Sequence, residues 1–139
     1  MLTILDLDGN EVEDIEPETF KNLPRMIYLR LSRNKIRTIR NAAFSDLNSL
    51  DGLDLQENDL ESIGDGAFER TGALKYLNLS HNNFDSMSRM GLFPLNALEV
   101  LDTSFNRIKD VDPKALRHLQ WLVELRVRNS TIKQANGSY

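Results

Sequence analysis

A pattern that returns every 24 residues leaves this chain few ways to fold. It starts at Leu2, Met26, Leu50, Leu74, Leu98 and Leu122 with no insertion between copies, giving units 2–25, 26–49, 50–73, 74–97 and 98–121 and a partial unit 122–139. A repeat of fixed length in this range specifies a stack of similar coils, each burying its apolar side against its neighbours. Every unit carries an alternation near its start, such as Leu5-Asp6-Leu7 or Leu77-Asn78-Leu79. That period of two predicts a short strand with one buried face. The apolar spacing then widens, which predicts an irregular or loosely helical return path plugged by Phe20, Phe44 and Phe68.

An asparagine stands between strand and return path in five successive units: Asn10, Asn34, Asn58, Asn82 and Asn106. An amide side chain carries donors and an acceptor, and a buried turn leaves backbone groups that must be paired. Stacked asparagines bonding to neighbouring backbones therefore form a structural ladder, a reading that outranks glycosylation or ligand contact at these positions. The register LxxLxLxxNxLxxLxxxxFxxLxx, running from residue 2 to about 133, resembles the typical 24-residue class of leucine-rich repeats. The resemblance implies an α/β solenoid: a curved right-handed coil with a concave parallel β-sheet of about six short strands and an irregular or short-helical convex side. It further implies likeness to repeats of Toll-type receptors, chaoptin-like adhesion proteins and slit-type guidance cues.

Some positions depart from the register. Thr103 replaces a strand leucine and Thr71 a late one, Leu92 and Leu116 stand where phenylalanine is usual, and Ser130 ends the ladder. Ser86 to Pro94 are expected to give the fourth unit the least regular convex side. The chain reads as one domain, 1–139. End repeats of a solenoid normally carry a polar cap. Here a strand opens directly at Leu2 to Leu7 and a short polar tail, Gln134 to Tyr139, closes the chain, so a fragment of a longer array is expected.

Composition narrows the function classes. A net charge of -4 lacks the basic surface that phosphates demand, so no nucleic-acid partner is expected. No apolar run approaches the roughly 20 residues of a bilayer span, so direct membrane insertion by this segment is not expected either. Cysteine is absent and gives no sign of compartment. Three N-x-[ST] sequons, at Asn78, Asn129 and Asn136, together with the repeat class, favour an extracellular or cell-surface setting over a cytoplasmic one. An enzyme is not expected. His81 and His118 are the only histidines, and no HExxH, phosphate loop or dinucleotide fingerprint occurs. Ser80, His81 and Asp102 fall on adjacent predicted strands, but consecutive residues on a strand diverge, which sets a triad aside. Asp6, Asp8 and Asp54 lack the Asp-x-Asp-x-Asp-Gly loop of a calcium site, and neither metal nor cofactor is implied.

Residues flanking the strand leucines project from the concave face and line up in columns about 4.8 Å apart from strand to strand. The central column is Asp6, Arg30, Asp54, Asn78, Asp102 and Arg126, in which opposite charges stand side by side and support each other. A second is Ile4, Tyr28, Gly52, Tyr76, Val100 and Glu124, largely uncharged; tyrosines are favoured binding anchors, which makes Tyr28 and Tyr76 the leading candidates. The third is Gly9, Arg33, Glu57, His81, Phe105 and Asn129. Ile4, Val100, Arg30, Arg33, His81 and Phe105 complete the candidate ligand face. Charge also alternates: units 2–25 and 50–73 hold seven acids each against two bases and one, while 26–49 holds five bases, Arg30, Arg33, Lys35, Arg37 and Arg40, against one acid. A mutually compensating surface accounts for this alternation. The expected function is protein–protein recognition, with a protein ligand or homophilic partner on the concave face of an adhesion or receptor protein. The alternatives are a structural spacer in an extracellular repeat protein and an intracellular signalling scaffold.

Overall fold

The computed structural model describes residues 1–133; the tail from Gln134, and with it the Asn136 sequon, lies outside the described residues. Each LxL alternation forms a three-residue strand, and two shorter strands lie on the return side. In chain order the strands are β1 (Ile4–Asp6), β2 (Tyr28–Arg30), β3 (Thr38–Ile39), β4 (Gly52–Asp54), β5 (Ser62–Ile63), β6 (Tyr76–Asn78), β7 (Val100–Asp102) and β8 (Glu124–Arg126). The main sheet runs β1-β2-β4-β6-β7-β8, parallel throughout. Its register equals the repeat, pairing Leu5 with Leu29, Leu53 with Leu77 and Leu101 with Leu125. Leu29, Leu53, Leu77 and Leu101 are fully buried as one row, and Leu5 and Leu125 at its ends are half-buried. The chain is therefore a parallel-sheet solenoid of about five turns around one continuous apolar interior.

The asparagine ladder closes the turns between the first five units, and at the sixth the Ser130 hydroxyl donates instead to the Asn106 carbonyl at 3.3 Å. Asn58 Nδ2 donates to the Leu31 and Leu55 carbonyls at 3.0 and 3.1 Å, and its Oδ1 accepts from the Ile36 N–H at 3.1 Å. Asn34, Asn82 and Asn106 repeat this geometry. Asn10, in the first unit, is exposed and bonds only to its own turn, at Leu7 and Asp8. Phe20, Phe44 and Phe68 form a stacked spine on the return side, with centroids 6.1 and 5.6 Å apart. The two threonines that replace leucine are buried and bonded. Thr103 Oγ1 donates to the Arg126 carbonyl at 3.2 Å, and Thr71 Oγ1 donates to the Phe68 carbonyl. A buried hydroxyl with a backbone acceptor avoids the desolvation penalty of an unpaired one.

The return path is more ordered than its spacing suggests in the second and third units, where β3 and β5 pair as a small parallel sheet. The fourth unit breaks that pattern with a 3-10 turn at Met87–Arg89, capped by the Ser86 hydroxyl. In the fifth, Asp112 caps a single helical turn, α1 (Pro113–Leu116), by accepting from the Lys114 N–H at 2.9 Å. Pro113 suits the first turn of a helix because that position needs no N–H.

Candidate functional site

On the sheet face, Ile4, Tyr28, Gly52, Tyr76 and Val100 are successive register partners and span roughly 20 Å at one strand spacing per step. The two tyrosines are not independent anchors. Their rings stack across the intervening strand with centroids 6.4 Å apart and planes at 27°. Gly52 makes this possible: a Cβ there would fall 2.3 Å from Tyr28 Cε2, so the ring lies directly over the glycine backbone.

Both phenols are held by the central column. Tyr28 Oη donates to Asp54 Oδ2 at 3.1 Å, and the Arg30 guanidinium sits 5.1 Å from the Tyr28 ring centroid. Tyr76 Oη accepts from Asn78 Nδ2 at 3.2 Å; the same amide donates to Gln56 Oε1 and, through Oδ1, accepts from Ser80. Burial, reinforced by the neighbouring carboxylate, pushes the Tyr28 hydroxyl well above its ordinary range and raises Tyr76 as well. Burial also raises Asp54, partly offset by the hydrogen bond from Tyr28. The result is a preorganised aromatic patch whose polar edges are already satisfied, leaving ring area to contact a ligand.

The sequon at Asn78 is folded into this network. Its side chain is 7% exposed and its nitrogen is bonded to Gln56 and Tyr76, so a glycan on that nitrogen requires these bonds to break. Asn129, by contrast, is exposed.

The third column has a common backbone. Gly9, Arg33, Glu57, His81, Phe105 and Asn129 all have φ between 50° and 72°. This left-handed conformation disfavours side chains other than glycine, yet five of six positions carry one. His81 and Phe105 stack at 4.2 Å with planes at 9°, forming a second aromatic step. The column therefore lies apart from the tyrosine patch, with the charged column between them. In that column Arg30 approaches Asp6 at 3.8 Å and Arg126 approaches Asp102 at 3.9 Å. The basic band is similarly paired: Lys35 with Glu11, Arg37 with Glu61, and Arg40 with Asp14 and Glu16.

Ser80 and His81 make no catalytic chain. The Ser80 hydroxyl donates to Asn78 at 2.7 Å while the His81 ring faces Phe105. Among the described residues, no group of three or more histidines and carboxylates is placed to hold a metal ion. No helix of the described residues is long and apolar enough to cross a membrane.

Sequence reasoning named the tyrosines but not the residues that set them. Gly52 and Asp54 fix Tyr28, and Asn78 and Gln56 hold Tyr76 or its partner. A glycine between two tyrosines of one column was the available signal.

Comparison with known proteins agrees with this geometry. A family model described as leucine rich repeat matches residues 1–60 and 50–108. No curated protein matches the chain. Among solved structures, the crystal structure of a TLR13–ssRNA13 complex superposes with a TM-score of 0.89 at 32% identity, covering 98% of this chain and 19% of that one. The chain thus spans about a fifth of the length of that relative. With the repeat, the ladder and the sheet all in the same register, this chain belongs to the leucine-rich repeat family.

Proposed function

We propose that this chain is the recognition segment of an extracellular or lumenal receptor or adhesion protein, taking a protein ligand on its concave sheet face. The observation that carries the reading is the stacked Tyr28–Tyr76 pair, set over Gly52 and held at its hydroxyls by Asp54 and Asn78. Rigid aromatics with little entropy left to lose are favoured centres of protein interfaces. Ile4 and Val100 extend the patch along the same row, and Arg30, Arg33, His81 and Phe105 form its polar and aromatic surround. The likeness to TLR13 supports a receptor setting. Asn129, an exposed sequon, is the glycan acceptor this reading favours among the described residues.

That relative is in complex with single-stranded RNA, but the central column here carries Asp6, Asp54 and Asp102 in the middle of the face. Carboxylates in the path of a phosphate backbone oppose it. A protein ligand is the better match.

The test is a saturable partner recovered from extracellular extracts on the immobilised chain, then titrated against Tyr28→Ala plus Tyr76→Ala. The expected result is a loss of affinity of about tenfold or more, with circular dichroism unchanged and with Lys35→Glu plus Arg37→Glu as an unaffected control. Unchanged binding by the tyrosine variant removes this site. Saturable binding of single-stranded RNA, lost in the same variant, replaces the protein ligand with nucleic acid.

A further inference from the structure

The return side of the fourth and fifth units carries a groove that the solenoid does not require. Its volume is about 360 Å³, within the range of sites that accept a ligand side chain or small molecule. It exists because the phenylalanine spine slips by one residue. Phe44 and Phe68 fill this position in the second and third units, but the fourth has Leu92 there, buried, with the phenylalanine displaced to Phe93 and 75% exposed. Gly91, at φ 62°, lets the segment settle against the third unit; a Cβ on it would meet the Gly64 carbonyl oxygen at 2.7 Å. The 3-10 turn at Met87–Arg89 and helix α1 then stand on either side of a cleft.

The two halves of this cleft differ in chemistry. Its apolar part is Met87, Leu92, Ala115 and the exposed face of Phe93. The His118 ring leans on Phe93 with centroids 5.1 Å apart, and its Nε2 lies 3.2 Å from the Leu92 carbonyl, which fixes that wall. Lys114 and Arg117 form the rim beside α1, and Asp65 contributes the one carboxylate of the lining. Among the described residues, none of these three has an opposite charge within 4.0 Å. Lys114 and Arg117 thus leave two unpaired cations beside an exposed phenylalanine.

We propose that this groove is a second docking surface, separate from the sheet face, for an acidic peptide segment of a partner protein. A bulky apolar side chain of the segment seats against Phe93 and Leu92, and a neighbouring carboxylate meets Lys114 and Arg117. Charge complementarity selects the occupant: two cations against one acid favour an anionic segment, and Asp65 sets its polarity by repelling a carboxylate from the far rim. An apolar anchor flanked by a charged rim follows the usual division of labour in protein interfaces.

The experiment titrates the full chain, isotopically labelled, with a hexapeptide in which two glutamates on each side flank a central leucine–phenylalanine pair. Saturable amide shifts at residues 87–93 and 114–118 are expected, with the tyrosine patch unaffected. Lys114→Glu plus Arg117→Glu should weaken binding roughly tenfold, and Phe93→Ser should weaken it by a similar factor with an unchanged melting temperature, since that ring is already exposed. Asp65→Asn should leave binding equal or tighter. Lys35→Glu plus Arg37→Glu, with the same change in net charge, should leave it intact. The proposal is overturned if the peptide fails to saturate, if a lysine-flanked peptide binds as well, or if the shifts fall on the sheet face. It is also overturned if phosphatidylserine vesicles, and not the peptide, compete for the groove, or if the same residues shift with protein concentration alone, which would make a second copy the occupant.

Discussion

Removing one rung of the asparagine ladder should cost more than its single side chain suggests, and the structure separates the contributions. In Asn58→Ala three interactions of 3.1 Å or shorter vanish around a residue that is 7% exposed, with a weaker fourth to the Gln56 carbonyl at 3.4 Å. The two carbonyls are not abandoned: Leu31 oxygen still accepts from Asn34, and Leu55 oxygen still accepts from Asn82. The Ile36 N–H is different, because Asn58 Oδ1 is its acceptor and Ile36 is fully buried. A buried donor left without a partner costs about 1 to 3 kcal/mol, and each lost carbonyl bond about 0.5 to 1.5 kcal/mol. The expected loss is therefore about 2 to 6 kcal/mol, a large share of a small domain's stability. Asn10→Ala supplies the comparison, since it is exposed and bonds only within its own turn, and about 1 kcal/mol or less is expected there. Urea unfolding followed by circular dichroism measures both, with the denaturant slope checked because repeat arrays can lose cooperativity. Equal losses for the two variants would refute the reasoning, since the penalty would then not come from an orphaned N–H.

Two further outcomes follow from the tyrosine patch. Gly52→Ala should displace the Tyr28 ring and cost about 1 to 3 kcal/mol, since the new Cβ overlaps Cε2; combined with Tyr28→Ala the extra cost should fall below about 0.5 kcal/mol, a coupling that a double-mutant cycle in urea measures. Burial lifts the Tyr28 phenol above its ordinary 10.0, so the folded chain keeps a proton that the unfolded chain releases. Stability present below pH 10.0 should decline as pH rises past it, and Tyr28→Phe should flatten that decline in urea midpoints taken from pH 8 to 11.

Residues that act through the repeat were legible; residues that act through a neighbour's side chain were not. Leu29, Leu53, Leu77 and Leu101 announced a buried row because the period of 24 aligns them whatever their surroundings. The asparagines were legible for the same reason. Strands β3 and β5 were missed because two residues of strand carry too little alternation to read. The left-handed column escaped because Arg33, Glu57, His81 and Phe105 are not glycines, and composition alone gives no sign of positive φ. The groove was missed for a subtler reason. Leu92 was recognised as a departure at the phenylalanine position, but where Phe93 then points depends on Gly91 and the 3-10 turn, which no local pattern specifies.

The strained column shows how such a scaffold separates fold from surface. A non-glycine residue in the left-handed region costs of order 1 kcal/mol or more, and it persists where the surroundings determine it. Here the surroundings are the next unit: Arg33 N–H donates to the Gln56 carbonyl at 3.0 Å, His81 to Ser104 at 2.9 Å, and Phe105 to Arg128 at 2.8 Å. Because the backbone bond holds the conformation, the side chain is left free to be basic, acidic or aromatic. The same holds for most outward positions, since leucines, asparagines and phenylalanines that carry the stack point inward. The tyrosine patch is where that separation fails. Tyr28 needs Gly52 beneath it and Asp54 beside it, so substitution there alters the packing along with the surface. A surface coupled to its scaffold in this way is more rigid than its neighbours, and rigidity before contact is what lowers the entropy cost of binding.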